Sequence, residues 1–327
     1  MTRQRSARSL LVGAVVLALT ITGAGCGTDA QPVPESVRIV VPNPPGGGFD
    51  LTARVVGGAL EEAALPGRVT VVNLTGELGM TALTRVLLEE GEGTLLLQMG
   101  LGMVANAHTR GRADDLAGLT PVAMVLQEAE AVMVARNSPY ATLDDVVTDL
   151  RQRTGEVVVG GGSYPGGPDH QGTLRFLEGV GVDPAEVTYR PHDGGGEMLA
   201  ELVSGDVDVA VAGTAQHLHQ IRAGELRVLA VTGPERAPGI DAPTLRESGI
   251  DVEFLNWRGL LAPPGLSDDQ RDALVEALDR ARRSESWQEA VERHGWSDEW
   301  LTGDDFAAFL ATEQARVGEL LDGLSTR

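Results

Sequence analysis

The 327-residue chain has 26 basic side chains, all arginine, against 47 acidic ones, a formal net charge of −21. That acidity argues against nucleic acid and anionic membrane surfaces as partners, and an aromatic content of 4% leaves few rings for sugar-stacking clefts or base platforms. With one cysteine, an intrachain disulfide is excluded.

Arg3, Arg5 and Arg8 form a basic start, and "LLVGAVVLALTITGA" is an apolar stretch too short to span a membrane comfortably. It ends at "GAGC", so residues 1–25 are expected to be a signal peptide and Cys26 the acylated mature N-terminus. Gly23 stands where a lipobox usually has Leu; the alternative is an ordinary signal peptide with an incidental cysteine. Residues 26–36 then form a tether, placing the protein on the outer face of the cytoplasmic membrane.

"VRIVVP" is a continuous apolar run of the kind found in buried parallel strands. A helix, the strand "RVTVVNL", the loop "TGELG", a second helix and the strand "GTLLLQM" follow. "TPVAMVLQEAEAVMVAR" holds two strands' worth of apolar residues, and "NAHTRGRADD" before it reads as a poor helix. A second cycle begins near Ser138, with Thr142 as a helix N-cap. It runs through the strands "EVVVGG", "VTYRP", "VDVAVAG" and "LRVLAVTG". "VEFLNWRGLLAPPG" is extended, and three amphipathic helices close the chain, with Ser267 and Asp305 as N-caps.

Strands alternating with helices predict an α/β fold with two parallel-type sheets flanked by helices and joined by two hinge crossings. The expected domains are 37–137 plus 256–327, and 138–255, with a cleft between them. Ligands of such sheets bind beyond the carboxyl ends of the strands.

Two loops carry the main signal. "PPGGGFD" contains Gly46, Gly47, Gly48, Phe49 and Asp50; "SYPGGPDH" contains Ser163, Gly166, Gly167, Asp169 and His170. Glycines admit close approach and positive φ, and bare N–H groups at a helix start make an anion-binding concavity. Asp50 is expected to cap the helix beginning at Leu51. One such loop is a tight turn; two suggest a two-sided anion clamp. Neither has the Gly-Lys-Ser/Thr of a phosphate-hydrolysing loop.

"GLGMVA" at Gly100 formally fits a dinucleotide fingerprint but lies in the third strand–helix unit, so a ligand-facing loop is expected and no cofactor. His217 and His219 are two apart on a helix and make poor metal co-ligands; no metal is expected. His170 and His192, both in Gly-rich loops, could meet at the cleft or be solvated. Ser163 is not in a G-x-S-x-G elbow, and no base–nucleophile pair supports an enzyme. Arg258 in "NWRG" could fork onto a ligand carboxylate or pair with an acidic residue at the hinge; Trp257 is expected to pack there.

These residues together resemble the solute-binding proteins of tripartite tricarboxylate transporters, the TctC-like or Bug family. The carriers include "VRIVVPNPPGGGFD", "GGGSYPGGPDH", "VTYRPHDGGGEML" and "NWRGLLAPPG". The resemblance implies a type II-like periplasmic-binding-protein fold without enzymatic activity. It implies a small tricarboxylate such as citrate, or a dicarboxylate, as ligand and membrane transporter subunits as partners, and a monomer is expected. It implies ligand contact by residues 46–50, 163–170 and 75–79, among them Thr75, Gly76 and Gly79, through backbone N–H groups and water. Glu77 replaces the family's usual small residue and could reject a highly charged anion. A sensor presenting its ligand to a membrane signalling partner would use the same cleft.

Overall fold

The computed structural model describes residues 33–325; the expected signal peptide and Cys26 lie outside them. The first strands and helices are β1 (Val37–Val41), α1 (Gly48–Ala63), β2 (Val69–Asn73), α2 (Met80–Leu87), β3 (Leu95–Gly100), α3 (Leu101–Thr109) and α4 (Ala113–Ala117). Strand β1 pairs in parallel with β2 and β3. Every residue of β3 is buried, as a continuous apolar strand covered on both faces requires, whereas β2 alternates half-buried and exposed residues at the sheet edge.

The next strand, β4 (Thr120–Ala135), is one 16-residue strand where two were expected. Register shifts at Pro121/Ala123, Met124/Leu126 and Val132/Met133 accommodate its length. The chain continues through α5 (Leu143–Gln152), β5 (Val158–Gly161), α6 (Pro168–Gly179), β6 (Thr188–Pro191), α7 (Gly195–Ser204), β7 (Val209–Gly213), α8 (Leu218–Arg222) and β8 (Leu226–Val231). It ends with β9 (Leu255–Ala262), α9 (Asp268–Arg282), α10 (Glu285–His294), β10 (Trp296–Ser297), β11 (Leu301–Thr302) and α11 (Gly303–Ser325).

Strand β4 belongs to both halves of the sheet. It pairs with β9 as far as Ala129 and with β7 from Glu130 onward. The ladders are therefore mixed, not wholly parallel: β5 runs parallel to β6 and β7, but β9 lies antiparallel between β3 and β4. A strand that returns beside the one by which the chain left must run the opposite way. The described residues, 33–325, fall within one compact unit.

Apolar clusters cover both faces of each half. Leu83, Leu97, Trp257 and Phe306 share one, and Ile39, Leu60, Leu96 and Trp287 another. Beyond β4, Val134, Val159 and Phe176 share a third, and Met133, Met198 and Leu202 a fourth. Trp257 is a core residue, edge-on to Phe306 at 6.3 Å, with its indole N–H donating to Glu313 at 2.8 Å.

Thr142 and Ser267 close reciprocal caps with Asp145 and Gln270. Asp305 is not a cap, because α11 already starts at Gly303. Helix α3 runs to Thr109, into the stretch read as a poor helix; burial of Met103, Val104, Ala105 and Ala107 overrides its weak propensity.

Candidate functional site

The two Gly loops are the same structure built twice. Gly46 has φ +93° and Gly166 φ +85°, both in the left-handed region. The next residues, Gly47 and Gly167, are extended N-caps at φ −81° and −72°. Four residues after each left-handed glycine, a side chain reaches back. Gly46 N–H donates to Asp50 Oδ2 at 2.9 Å, and Gly166 N–H donates to His170 Nδ1 at 3.0 Å.

This corrects one expectation. Asp50 is the third helical residue, not the N-cap, because Gly47 starts the helix without a side-chain cap. Its structural counterpart is His170, not Asp169. Asp50 also accepts from Arg54 Nε and Asn73 Nδ2, each at 2.9 Å. Burial opposes ionisation, but those bonds and the Gly46 amide outweigh it and hold the carboxyl below its ordinary pKa. Burial pushes His170 down to about 4, so its ring is neutral and Nδ1 can accept.

A cavity of about 850 Å³ opens beyond these loops. Gly46, Gly47, Gly48 and Phe49 line it from α1, and Thr75, Gly76 and Gly79 from the following loop. Ser163, Gly167 and Asp169 line it from the second Gly loop, and His192 and Arg258 complete the expected set. Asp50, Gly100, Gly166 and His170 are not in its wall. Asp50, Gly166 and His170 brace the loops from behind. A Cβ on Gly100 would meet Trp257 O at 2.6 Å and the Phe49 ring at 2.9 Å, so that glycine serves packing. His170 and His192 do not meet at the cleft; His170 turns edge-on to Tyr189 at 4.6 Å. His192 Nδ1 lies 3.1 Å from Gly161 O, and its Nε2 is 3.2 Å from Glu201 without hydrogen-bond geometry.

The first N–H groups of an α-helix have no partner within the helix. At α1, Gly48 and Phe49 line the cavity, and their N–H groups have no hydrogen-bond partner among the described residues. At α6 they are largely spent. Pro168 has none, Gly167 donates to Tyr164 O at 2.8 Å, and Asp169 donates to Ser163 Oγ at 3.1 Å. The second open set belongs to α7, where Gly195, Gly196 and Glu197 line the wall. The "GGGE" run that caps and opens that helix, Gly194 to Glu197, was the available signal. A Cβ on Gly195 would lie 2.8 Å from His217 and 2.9 Å from Gln216, so a side chain there would require one of them to shift.

Arg258 forms the floor with β4. It is 4% exposed and pairs through Nη2 with Glu128, itself 2% exposed. Nη1 donates to Thr52 Oγ1 at 2.8 Å, and the other Glu128 oxygen accepts from Trp296 Nε1 at 3.0 Å. The guanidinium occupies the space of an absent side chain: Nη2 is 2.5 Å from where a Cβ on Gly48 would stand. Burial raises Asp169 to about 7 against the opposing Gly162 amide. Burial, with Asp169 and Glu128 nearby, raises Glu130 well above the carboxylate range. Arg110, exposed at the end of α3, also lines the cavity and forms no ion pair among the described residues. No cluster of three or more metal-ligating side chains occurs among the described residues.

A helix-flanked sheet in two halves, with helix N-termini converging on a cavity where β4 passes between them, defines the type II-like fold of periplasmic solute-binding proteins. The chain belongs to the tripartite tricarboxylate transporter family receptors, the TctC family, whose model matches residues 66–325. It is 27% identical to Protein BugT of Bordetella pertussis over 94% of this chain and 95% of that one. Among solved structures it is similar to R. palustris Rpa4515 with adipate, at 25% identity and TM-score 0.78, covering 88% and 96% of the two chains. It also shares the fold of the periplasmic binding protein BugD, at 23% identity and TM-score 0.76, covering 89% and 98%. These relatives are solute-binding proteins and not enzymes, and the family is extracytoplasmic.

Proposed function

We propose that the protein captures a small carboxylate in the 850 Å³ cavity and delivers it to a membrane transporter of the tripartite tricarboxylate type. The observation that carries this reading is the convergence of the open N–H groups of α1 and α7 on one cavity. Helix N-termini bind anions through bare donors and the local dipole, which supplies positive potential inside an acidic protein. The similar Rpa4515 was solved with adipate, a dicarboxylate; a dicarboxylate therefore has support, while a tricarboxylate such as citrate rests on the family's description. Arg110, which lines the cavity and has no ion pair among the described residues, would add a charge-assisted contact.

In this account the lobes 37–137 plus 256–327 and 138–255 close on the ligand about β4 and the strand that returns beside it. Acylated Cys26 holds the monomer near its transporter. A calorimetric titration of the mature chain with adipate, succinate and citrate tests the reading: one-to-one saturable binding of at least one supports it, and absence of binding across the panel refutes it.

A further inference from the structure

The two Gly loops differ in what braces them. At the first, Asp50 accepts from Gly46, Arg54 and Asn73, all in the segment that runs from β1 to β2. At the second, the Gly166 carbonyl accepts from Gln171 Nε2 at 2.6 Å, and Gln171 Oε1 accepts from Arg316 Nη1 of α11 at 2.8 Å. Gln171 is buried, and its amide can point only one way. Reversed, its oxygen would face the Gly166 carbonyl and its NH₂ the guanidinium.

Arg316 is itself held in place. Its Nε and Nη2 fork onto the two oxygens of Glu313 at 2.7 and 2.9 Å, one turn back on α11. A planar guanidinium gripped along that edge has the direction of Nη1 fixed. Glu313 is buried and also accepts from Trp257 Nε1, and Trp257 precedes Arg258 on β9. A hydrogen-bonded chain therefore runs from β9 at the cavity floor, along α11, to the carbonyl of the left-handed glycine that shapes the second loop. Leu321 of α11 packs on the same glycine, with Cδ2 2.5 Å from where a Cβ on Gly166 would stand. Ser163, Tyr164 and Gly167 of that loop line the cavity. Helix α11 and β9 fall in 256–327 and the loop in 138–255, so the chain crosses between the proposed lobes at the Arg316–Gln171 bond.

We infer that Arg316 is a positioning residue for ligand binding: through Gln171 it holds the second Gly loop in place against the cavity. The bond breaks when the lobes part, so it stabilises the closed arrangement together with the ligand and slows ligand escape. That consequence rests on the carboxylate-binding reading; the hold on the loop does not.

Hydrogen exchange on the intact mature chain, read over residues 163–171, tests the hold, and calorimetry and dissociation rates with adipate, succinate and citrate test the consequence. Arg316→Met should speed exchange over 163–171 by about 2- to 10-fold, the worth of one hydrogen bond, while residues 46–50 exchange as in the parent. Affinity for an acid that the parent binds should fall by a similar factor, through faster dissociation. Gln171→Met keeps the Arg316–Glu313 fork and cuts the same bridge, so it should loosen the same loop, and the double variant should lose little more than either single one. Arg316→Lys, whose ammonium cannot fork onto Glu313 while reaching Gln171, should fall between the parent and Arg316→Met. Parental exchange over 163–171 in both single variants overturns the inference, as does faster exchange throughout the chain, which would make Arg316 a support of the fold alone. Faster loop exchange with parental affinity for a bound acid overturns it too. If the parent binds none of the acids, the carboxylate reading falls, and the exchange result decides whether Arg316 holds the loop.

Discussion

Asp50 and His170 occupy the same position in two loops, each accepting the N–H of a left-handed glycine four residues before it. The geometry is conserved between the loops while the chemistry differs: an anion braces one and a neutral imidazole the other. The glycines themselves should not be equivalent. Among the described residues a Cβ on Gly46 would meet nothing within 4 Å, so Gly46→Ala should cost only the left-handed strain, about 1–2 kcal/mol. At Gly166 a Cβ would stand 2.5 Å from Leu321 Cδ2, so Gly166→Ala should add about 1–3 kcal/mol of overpacking. Urea unfolding of both variants measures the difference.

His170 and its neighbour Asp169 should give stability opposite pH slopes. His170 takes its proton near pH 4 in the folded chain but near 6.5 unfolded, so its contribution is complete above 6.5 and is lost as pH falls towards 4. Asp169 titrates near 7 when folded but near 3.8 unfolded, so its contribution is complete at low pH and is lost as pH rises towards 7. His170→Gln should therefore be most favourable, relative to the parent, at pH 5. Asp169→Asn should be most favourable at pH 8. Unfolding free energies across pH 5–8 check both signs.

The two cavity arginines should separate binding from stability. Arg258→Met leaves Glu128 buried without its partner and should cost about 3–5 kcal/mol of stability. Adding Glu128→Gln should recover much of that loss. Arg110→Ala should leave the unfolding midpoint nearly unchanged and weaken carboxylate binding about 10-fold. If Arg110→Ala binds as well as the parent, the helix amides hold the anion without it.

Gly48 links the anion site to the ion pair. A methyl at that position would occupy the space of the Arg258 guanidinium, so Gly48→Ala should lower stability in the single variant and much less in an Arg258→Met background. Additive losses would show that the two positions are independent.

Much of this was legible in the chain. The Gly loops, the alternating strands and helices, the caps at Thr142 and Ser267 and the family resemblance all depend on local patterns. The misreadings share a cause. Glu128 sits in an apolar run whose meaning depends on Arg258, 130 positions away and brought beside it only by the pairing of β4 with β9. The two-strand reading of residues 120–135 failed because nothing local distinguishes one strand shared by two sheet halves from two strands. Asp50 looked like a cap because Asp before an apolar run usually is one; that Gly47 could begin the helix unaided was hidden in backbone angles. The α7 site was written in "GGGE", but its value appears only once the α6 amides prove to be occupied.

In the proposed complex, open amides at α1 and α7 hold the ligand's carboxylate. A crystal structure of the mature chain with a bound small carboxylic acid tests it most directly. Carboxylate oxygens are expected within roughly 2.7–3.2 Å of N–H groups at Gly48, Phe49, Gly195 or Gly196, directly or through one water, with Arg258 still on Glu128. A carboxylate paired to Arg258 with Glu128 displaced, or bound outside this cavity, would contradict it.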